Sequence, residues 1–472
     1  MAESAFARGE RASEGTGTGA SGRTGTSVGA AGAAPAGACR GHGAREGLPR
    51  RQPAREPAAR TYAGALPVVP VRARGLTIEG ADGRRYLDCL SGDGTLALGH
   101  NHPAVLEAIR KVLDSGAPLH APGLATPVRD AFVAELLRTL PPGLADRARV
   151  RFCGPTGAEA MATAVGLVRA ATGRTDVLGF GGAGAERFPG AAGAPGPCEG
   201  PEAPEAAGAT VRDRARRMPA GVVLEPVRCE DGTVPVPEAW LRRVRRLTAD
   251  RPVALIADET RTGAGRTGAF WAVEHSGVVP DVMVLARAVG GSLPLGVVVH
   301  RDDLGPPEPG APADAFRGNQ LAMAAGTATL AHIRENRLAD RAAELGARLM
   351  GRLRELAEES ACLGEVRGRG LMIGVEVVDP EGRDAGAGGD AGAAAGGRPA
   401  AAVRRECLRR GLIVGLGGRH TNVVRLLPPL TITDEQAAAV LDRLADAVRT
   451  VTRARTGHAE PRRRTRPARR RR

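Results

Sequence analysis

Chemistry needs nucleophiles, acids or charged grips, and this sequence offers few of them in suggestive places. The turn Pro155-Thr156-Gly157-Ala158 falls between an apolar run, RVRFC, and a helix-patterned stretch, GAEAMATAVGLVRAA. Backbone N–H groups at a helix start carry partial positive charge and suit a phosphate dianion. The same residues also serve as an ordinary strand-to-helix turn. Asp258 ends the apolar run VALIAD. A carboxylate there needs a partner, either a ligand or a structural or capping contact. Lysine, the usual source of a nucleophilic amine, occurs once, as Lys111. It follows Glu107 by four residues on the polar face of a predicted helix, the spacing of a surface ion pair. The seven cysteines are scattered with no CxxC pair. That pattern predicts reduced thiols in a cytoplasmic protein, with no disulfide framework and no metal site.

The elements that must position these residues can be read from periodicity. A strand-like run in VRARGLTIEGADGRRYLDCL breaks at Ala81-Asp82-Gly83 and resumes at Tyr86-Leu87-Asp88. Asn101 suits an N-cap for a helix with Val105, Ile109, Val112 and Leu113 on one face. Thr126-Pro127 opens another, with Val128, Phe132, Leu136 and Leu140 in register. Short apolar runs then alternate with helices: RVRFC, VLGF, GVVLEP, VALIADE, DVMVL and GVVVH. This predicts an α/β protein with a mostly parallel central sheet sandwiched by helices. Residues 320–358 read as helical. From about 360 to 452, strands (LMIGVEVV, VVRLL) mix with helices, as in a smaller α+β domain. Stretches near 181–209 and 384–397 are low-complexity and are expected to be mobile loops.

The formal net charge is +14, which raises nucleic acid as a partner. Its distribution argues against this. Residues 1–60 carry nine Arg against five Glu, and residues 453–472 ten Arg against one Glu. The body between is close to neutral, so the charge belongs to solvated tails. No apolar run is long enough to span a membrane, and the N-terminus lacks the apolar core of a signal peptide.

Eight strings, in order from about 65 to 450, resemble class III, fold type I aminotransferases, and most closely the diaminobutyrate–2-oxoglutarate transaminases. They are SGDGTLALGHNHP, FCGPTGAEA, LEPVRCEDG, IADETRTGAGRTGAFWAVEHSGVVPDV, AVGGSLPLGVVV, FRGNQLAMAAGTATL, VRGRGLMIGVE and VVRLLPPLTIT. The resemblance implies the cofactor pyridoxal phosphate, an amino acid and a 2-oxo acid as substrates, and a dimer whose sites use both subunits. It implies that Thr156, Gly157 and Ala158 meet the phosphate and that Asp258 meets the pyridine nitrogen. It also implies that Arg425 grips the substrate carboxylate, with Glu230 able to pair with Arg425 when no carboxylate is bound. A plain structural salt bridge is the other reading of that pair. The implied organisation is a disordered tail (1–60), an N-terminal segment of the small domain (61–100), a large cofactor-binding domain (101–345), a C-terminal small domain (346–452) and a basic disordered tail (453–472).

The sequence also departs from the family. Arg287, in LARAVGG, stands where the family has its Schiff-base lysine. A guanidinium stays protonated and cannot act as that amine does. The family's aromatic–His pair is replaced in the run Gly181–Ala185, its phosphate-donating Thr by Ala315, and its Gln near the ring oxygen by Arg261. A lost charge-assisted hydrogen bond costs about 1.5–3 kcal/mol and a lost aromatic stack about 1 kcal/mol. Cofactor binding is then expected to be noncovalent and weaker by roughly two to three orders of magnitude. No residue is assigned a catalytic role, and the chain is expected to be impaired or inactive alone. The alternatives are a non-catalytic subunit in a homodimer or beside an active aminotransferase, a noncovalent binder of cofactor or amino acid, and a nucleic-acid-associated protein acting through its tails.

Overall fold

The structure is a computed structural model and describes residues 67–121, 123–180, 191–194, 218–305, 317–379 and 390–456. Both expected tails lie largely outside these residues, as do the Gly181–Ala185 run and Ala315. The order is β1 (Pro70–Arg74), β2 (Thr77–Gly80), β3 (Arg85–Asp88), α1 (Pro103–Asp114), α2 (Pro127–Thr139), β4 (Ala148–Phe152), α3 (Gly157–Thr172), β5 (Val177–Phe180), β6 (Ala191–Ala194), β7 (Gly221–Leu224), β8 (Val227–Arg228), β9 (Val234–Pro235), α4 (Glu238–Ala249), β10 (Ala254–Asp258), β11 (Val282–Leu285) and β12 (Val297–Arg301). Then come α5 (Gln320–Glu335), α6 (Leu338–Glu358), β13 (Leu363–Arg369), β14 (Met372–Val377), α7 (Asp390–Arg409), β15 (Leu412–Ile413), β16 (Gly415–Gly417), β17 (Val423–Leu426) and α8 (Asp434–Thr456).

The largest sheet among the described residues has the order β4-β12-β11-β10-β7-β5-β6. The pairs from β11 to β6 are parallel, while β12 runs antiparallel to both its neighbours. The expected mostly parallel sheet is therefore present. Its strands are apolar at nearly every position because both faces are covered: Leu255, Ile256, Val282, Met283, Val284 and Leu285 are all buried. Register brings several strand ends to one edge. Phe152 pairs with Val297, Val297 with Leu285, Val284 with Asp258, and Ala257 with Leu224. The residues that follow these ends, at 153–158, 225, 259–261 and 286–287, thus emerge together, which is where open α/β sheets bind ligands. The order β13-β14-β17-β16 forms a second, antiparallel sheet, and β1-β2-β3-β15 a third.

Helix boundaries follow local chemistry with some corrections. The Thr126 side chain caps α2 by accepting from Arg129 N, as expected. Asn101 does not cap α1. Pro103 starts that helix, His102 is the residue before it, and the Asn101 side chain instead donates to Ala73 O at 2.9 Å. Proline at the first helical position needs no N–H partner, which makes a side-chain cap dispensable. Leu113 is half exposed while Val105 and Val112 are buried, so the apolar face is narrower than expected. Two stretches expected to be loops contain regular structure: Ala191–Ala194 pairs with β5, and α7 begins at Asp390. Helix α8 continues to Thr456, past the expected start of the basic tail.

Candidate active site

Helix α3 begins with a capping box. The Thr156 hydroxyl accepts from Glu159 N, and the Glu159 carboxylate accepts from both the N–H and the hydroxyl of Thr156. Thr156 is thereby engaged within its own turn and is not a free phosphate donor. The next two backbone N–H groups, of Gly157 and Ala158, have no partner among the described residues. Gly157 also leaves room: a Cβ there would lie 3.2 Å from Thr260 Cγ2 and 3.7 Å from Ala286 Cβ. The two free amides open into a cleft of about 430 Å³, whose walls include Pro155, Met161, Asp258, Arg261 and Arg287.

Asp258 closes β10 at the strand edge and accepts from Thr260 N at 3.0 Å. Burial raises its pKa, against the pull of Thr260, Arg261 and Arg287. Glu225, just past the end of β7, is pushed up to about 7 by burial and by the Asp258 carboxylate beside it. Two neighbouring acids therefore lie at this strand edge, Asp258 lining the cleft, and burial and mutual repulsion hold at least one of them protonated more readily than a free carboxyl.

Two guanidinium groups of the lining, of Arg261 and Arg287, are gathered on one carboxylate together with Arg425. Arg287 Nη1 lies 3.0 Å from Asp93 Oδ2 and donates to Asp93 O at 3.1 Å. Arg261 Nη2 lies 3.5 Å from the same Oδ2, and Arg425 Nη2 3.4 Å from Oδ1. Arg261 also forms an ion pair with Glu230. Burial works against the charge on Arg261, but Cys229, Asp93 and Glu230 outweigh it and hold its pKa above the usual arginine value. Arg425 is fully buried, and its Nη1 donates to Cys229 Sγ at 3.2 Å. Gly417, on the neighbouring strand β16, makes this possible: a Cβ there would come 2.7 Å from Arg425 Cδ.

The structure thus brings Thr156, Gly157, Ala158, Asp258 and Arg287 to one cleft. Glu230 joins through Arg261, and Arg425 through Asp93. Sequence analysis expected Arg425 as the partner of Glu230; the ion pair described here for Glu230 is to Arg261. Lys111 lies on the outer face of α1, 73% exposed and 3.7 Å from Glu107, as its spacing suggested. Sequence reasoning missed Asp93. Its one local sign was a charged residue between two glycines, and Gly92, Asp93 and Gly94 all have positive φ, at 61°, 55° and 87°. It also missed Arg266 of the TGAGRTG run, which is buried and ties that loop to Pro428 O at 2.8 Å. Among the described residues, no group of His, Cys, Asp and Glu is arranged to hold a metal, no helix is long and apolar enough to cross a membrane, and the five cysteines are buried free thiols.

A strand-edge cleft with free amides at a helix start, an aspartate on its floor and a buried arginine behind it is the arrangement of a pyridoxal-phosphate protein with the aminotransferase fold. The chain belongs to the family Aminotransferase class-III, whose sequence profile matches residues 58–187 and 201–448. It is 45% identical over 431 residues to the diaminobutyrate–2-oxoglutarate aminotransferase of Rhizobium meliloti, covering 84% of this chain and 91% of that one. It is 37% identical to the enzyme of the same name from Haemophilus influenzae, covering 84% and 94%. Among solved structures it is similar to an amine transaminase from an uncultivated Pseudomonas species, described in its pyridoxal-phosphate-bound, internal aldimine form. There the TM-score is 0.72 at 26% identity, over 86% of this chain and 99% of that one.

Proposed function

We propose that this chain is a diaminobutyrate–2-oxoglutarate-type aminotransferase scaffold that holds pyridoxal phosphate without a covalent bond and does not turn over alone. The single observation that carries the reading is Arg287: it stands at the lysine position, and its side chain is drawn onto Asp93 at the cleft wall.

The residues present fit the cofactor at two places. The free N–H groups of Gly157 and Ala158 suit its phosphate, in a space that a side chain at 157 would narrow. The Asp258 carboxyl suits its ring nitrogen. When bound, the cofactor supplies an electron sink. The resemblance gives Arg425 the substrate carboxylate; here it is fully buried on Asp93 and Cys229 behind the cleft, so that role requires this contact to open. The missing function is proton transfer. A primary amine lowered in pKa by burial can take and return a proton, whereas a guanidinium remains protonated at every working pH. The sole lysine is on the protein's exterior.

The chain is further proposed to pair, with itself or with an active aminotransferase, since a lysine-free subunit can still complete a neighbour's cleft. The test is a spectrum of the purified protein with added pyridoxal phosphate, followed by borohydride reduction and mass analysis. The expected result is no covalent adduct and no amino transfer between diaminobutyrate and 2-oxoglutarate. Arg287→Lys is expected to give a trapped adduct at the substituted position. Turnover by the unmixed wild-type chain at rates usual for an aminotransferase, or an adduct at Lys111, would overturn the reading.

A further inference from the structure

We propose that Arg287 determines specificity: its guanidinium makes the cleft select a phosphorylated pyridine ring that carries a carboxylate where pyridoxal phosphate carries its aldehyde. This rests on the reading above that the cleft takes the phosphate and the ring.

A guanidinium has five N–H donors in a planar fork. Asp93 engages Nη1 alone, through Oδ2 and its carbonyl oxygen, while Nε and Nη2 have no partner among the described residues. Arg287 is nonetheless held in place. It opens the short turn Arg287–Gly290 directly after β11, its side chain is 29% exposed, and it lines the same cleft as the free amides of α3. Its neighbour Ala286 lines the cleft beside Gly157, with its Cβ 3.7 Å from where a Cβ at 157 would lie. A ligand fixed at Gly157 and Ala158 shares its cleft with these two unused donors. An aldehyde oxygen can accept one hydrogen bond there. A carboxylate accepts two in parallel and brings the opposite charge. Arg261 cannot substitute in this role, because Nη1 and Nη2 are committed to Glu230 and Asp93. The carboxylate could sit directly on the ring or belong to an amino acid joined to the ring carbon through a secondary amine; both present the same group to Arg287.

The experiment is direct titration of the full-length chain, by calorimetry or ligand fluorescence. The ligands are pyridoxal phosphate, pyridoxamine phosphate, pyridoxic acid phosphate and N-phosphopyridoxyl glycine. At least one of the two carboxylated ligands is expected to bind about tenfold or more tightly than pyridoxal phosphate, whose aldehyde is uncharged, and more tightly still than pyridoxamine phosphate, whose ammonium is repelled by the guanidinium; which one it is identifies the source of the carboxylate. Arg287→Gln is expected to erase that preference while leaving pyridoxal phosphate within about threefold. Equal binding of all four ligands by the wild type, or a preference that survives Arg287→Gln, would overturn the inference and leave the proposed function standing. Failure of every phosphorylated ring to bind would overturn both.

Discussion

The two walls of the cleft are built on different principles. At the start of α3, backbone alone faces the ligand: Gly157 and Ala158 offer N–H groups, and the Thr156–Glu159 capping box stiffens the turn from behind. Across the cleft, side chains do everything. Arg261 and Arg287, which the resemblance marks as departures from the family, meet on Asp93 together with Arg425. The first wall is set by a helix start, so it persists whatever side chains surround it. The second depends on four charged residues far apart in sequence. Losses at separate positions would point to a decaying site, but Arg261 and Arg287 share one carboxylate partner. The altered wall is an ion network of its own, and substitution of its centre tests that directly.

The largest effect is expected at Asp93. Asp93→Asn leaves Arg261, Arg287 and Arg425 close together without the carboxylate between them. Removing one partner from a buried ion pair costs about 3–5 kcal/mol, and this wall is somewhat more open, so a loss of about 2–4 kcal/mol is expected. It would be read as a lower urea midpoint at unchanged slope. A variant as stable as the wild type would show that the network carries no folding energy and would collapse the contrast between the walls.

A smaller effect separates the scaffold from the cleft. Glu259, next to Asp258 in sequence, accepts from Val273 N at 2.8 Å and from the Thr262 hydroxyl. Burial raises its pKa from 4.5 to about 7. Between those values the folded chain keeps a proton that the unfolded chain has released. The stabilisation is therefore complete below the unfolded value and is lost as pH rises through the folded one; Glu225 contributes with the same sign. Glu259→Gln keeps an acceptor for Val273 and has no proton to lose. It is expected to flatten the fall in stability over this window by about 1–3 kcal/mol, followed by denaturation at several pH values. An unchanged pH slope would place the raised acid elsewhere.

The smallest effect belongs to the backbone wall. In Gly157→Ala the new methyl meets Thr260 Cγ2 at 3.2 Å, a contact relieved by a few tenths of an ångström of movement. Stability should be nearly unchanged, and pyridoxamine phosphate should bind about three- to tenfold more weakly, a cost near 1 kcal/mol. Binding unaffected by this change would remove the phosphate from the start of α3.

Much of the scaffold was legible in the sequence. Runs such as VALIAD and DVMVL are apolar throughout because parallel strands are covered on both faces, and the Thr126-Pro127 pair marks its helix start by local chemistry alone. The errors came where two local signals competed. Asn101 looks like a cap, but Pro103 starts the helix without one. Composition made Ala191–Ala194 look like loop, yet pairing with β5 supplies what its small side chains do not. Within the site, Gly157, Ala158 and Asp258 could be found because they sit at strand and helix ends that periodicity locates, whereas Arg287 stood out only through the resemblance, at the family's lysine position. Asp93 could not. Its meaning lies in contacts with residues as distant as Arg425, 332 positions along the chain, and pairing at that range leaves no periodic trace.

Arg287 sits in the left-handed region, with φ of 59°. A long side chain is disfavoured there by roughly 1 kcal/mol or more, whereas glycine enters freely. Conformational ease alone would place glycine at 287, so Arg287→Gly should relax the main chain even as it empties the wall. The arginine earns no folding advantage from its own torsions, and whatever keeps it there must come from what its guanidinium holds.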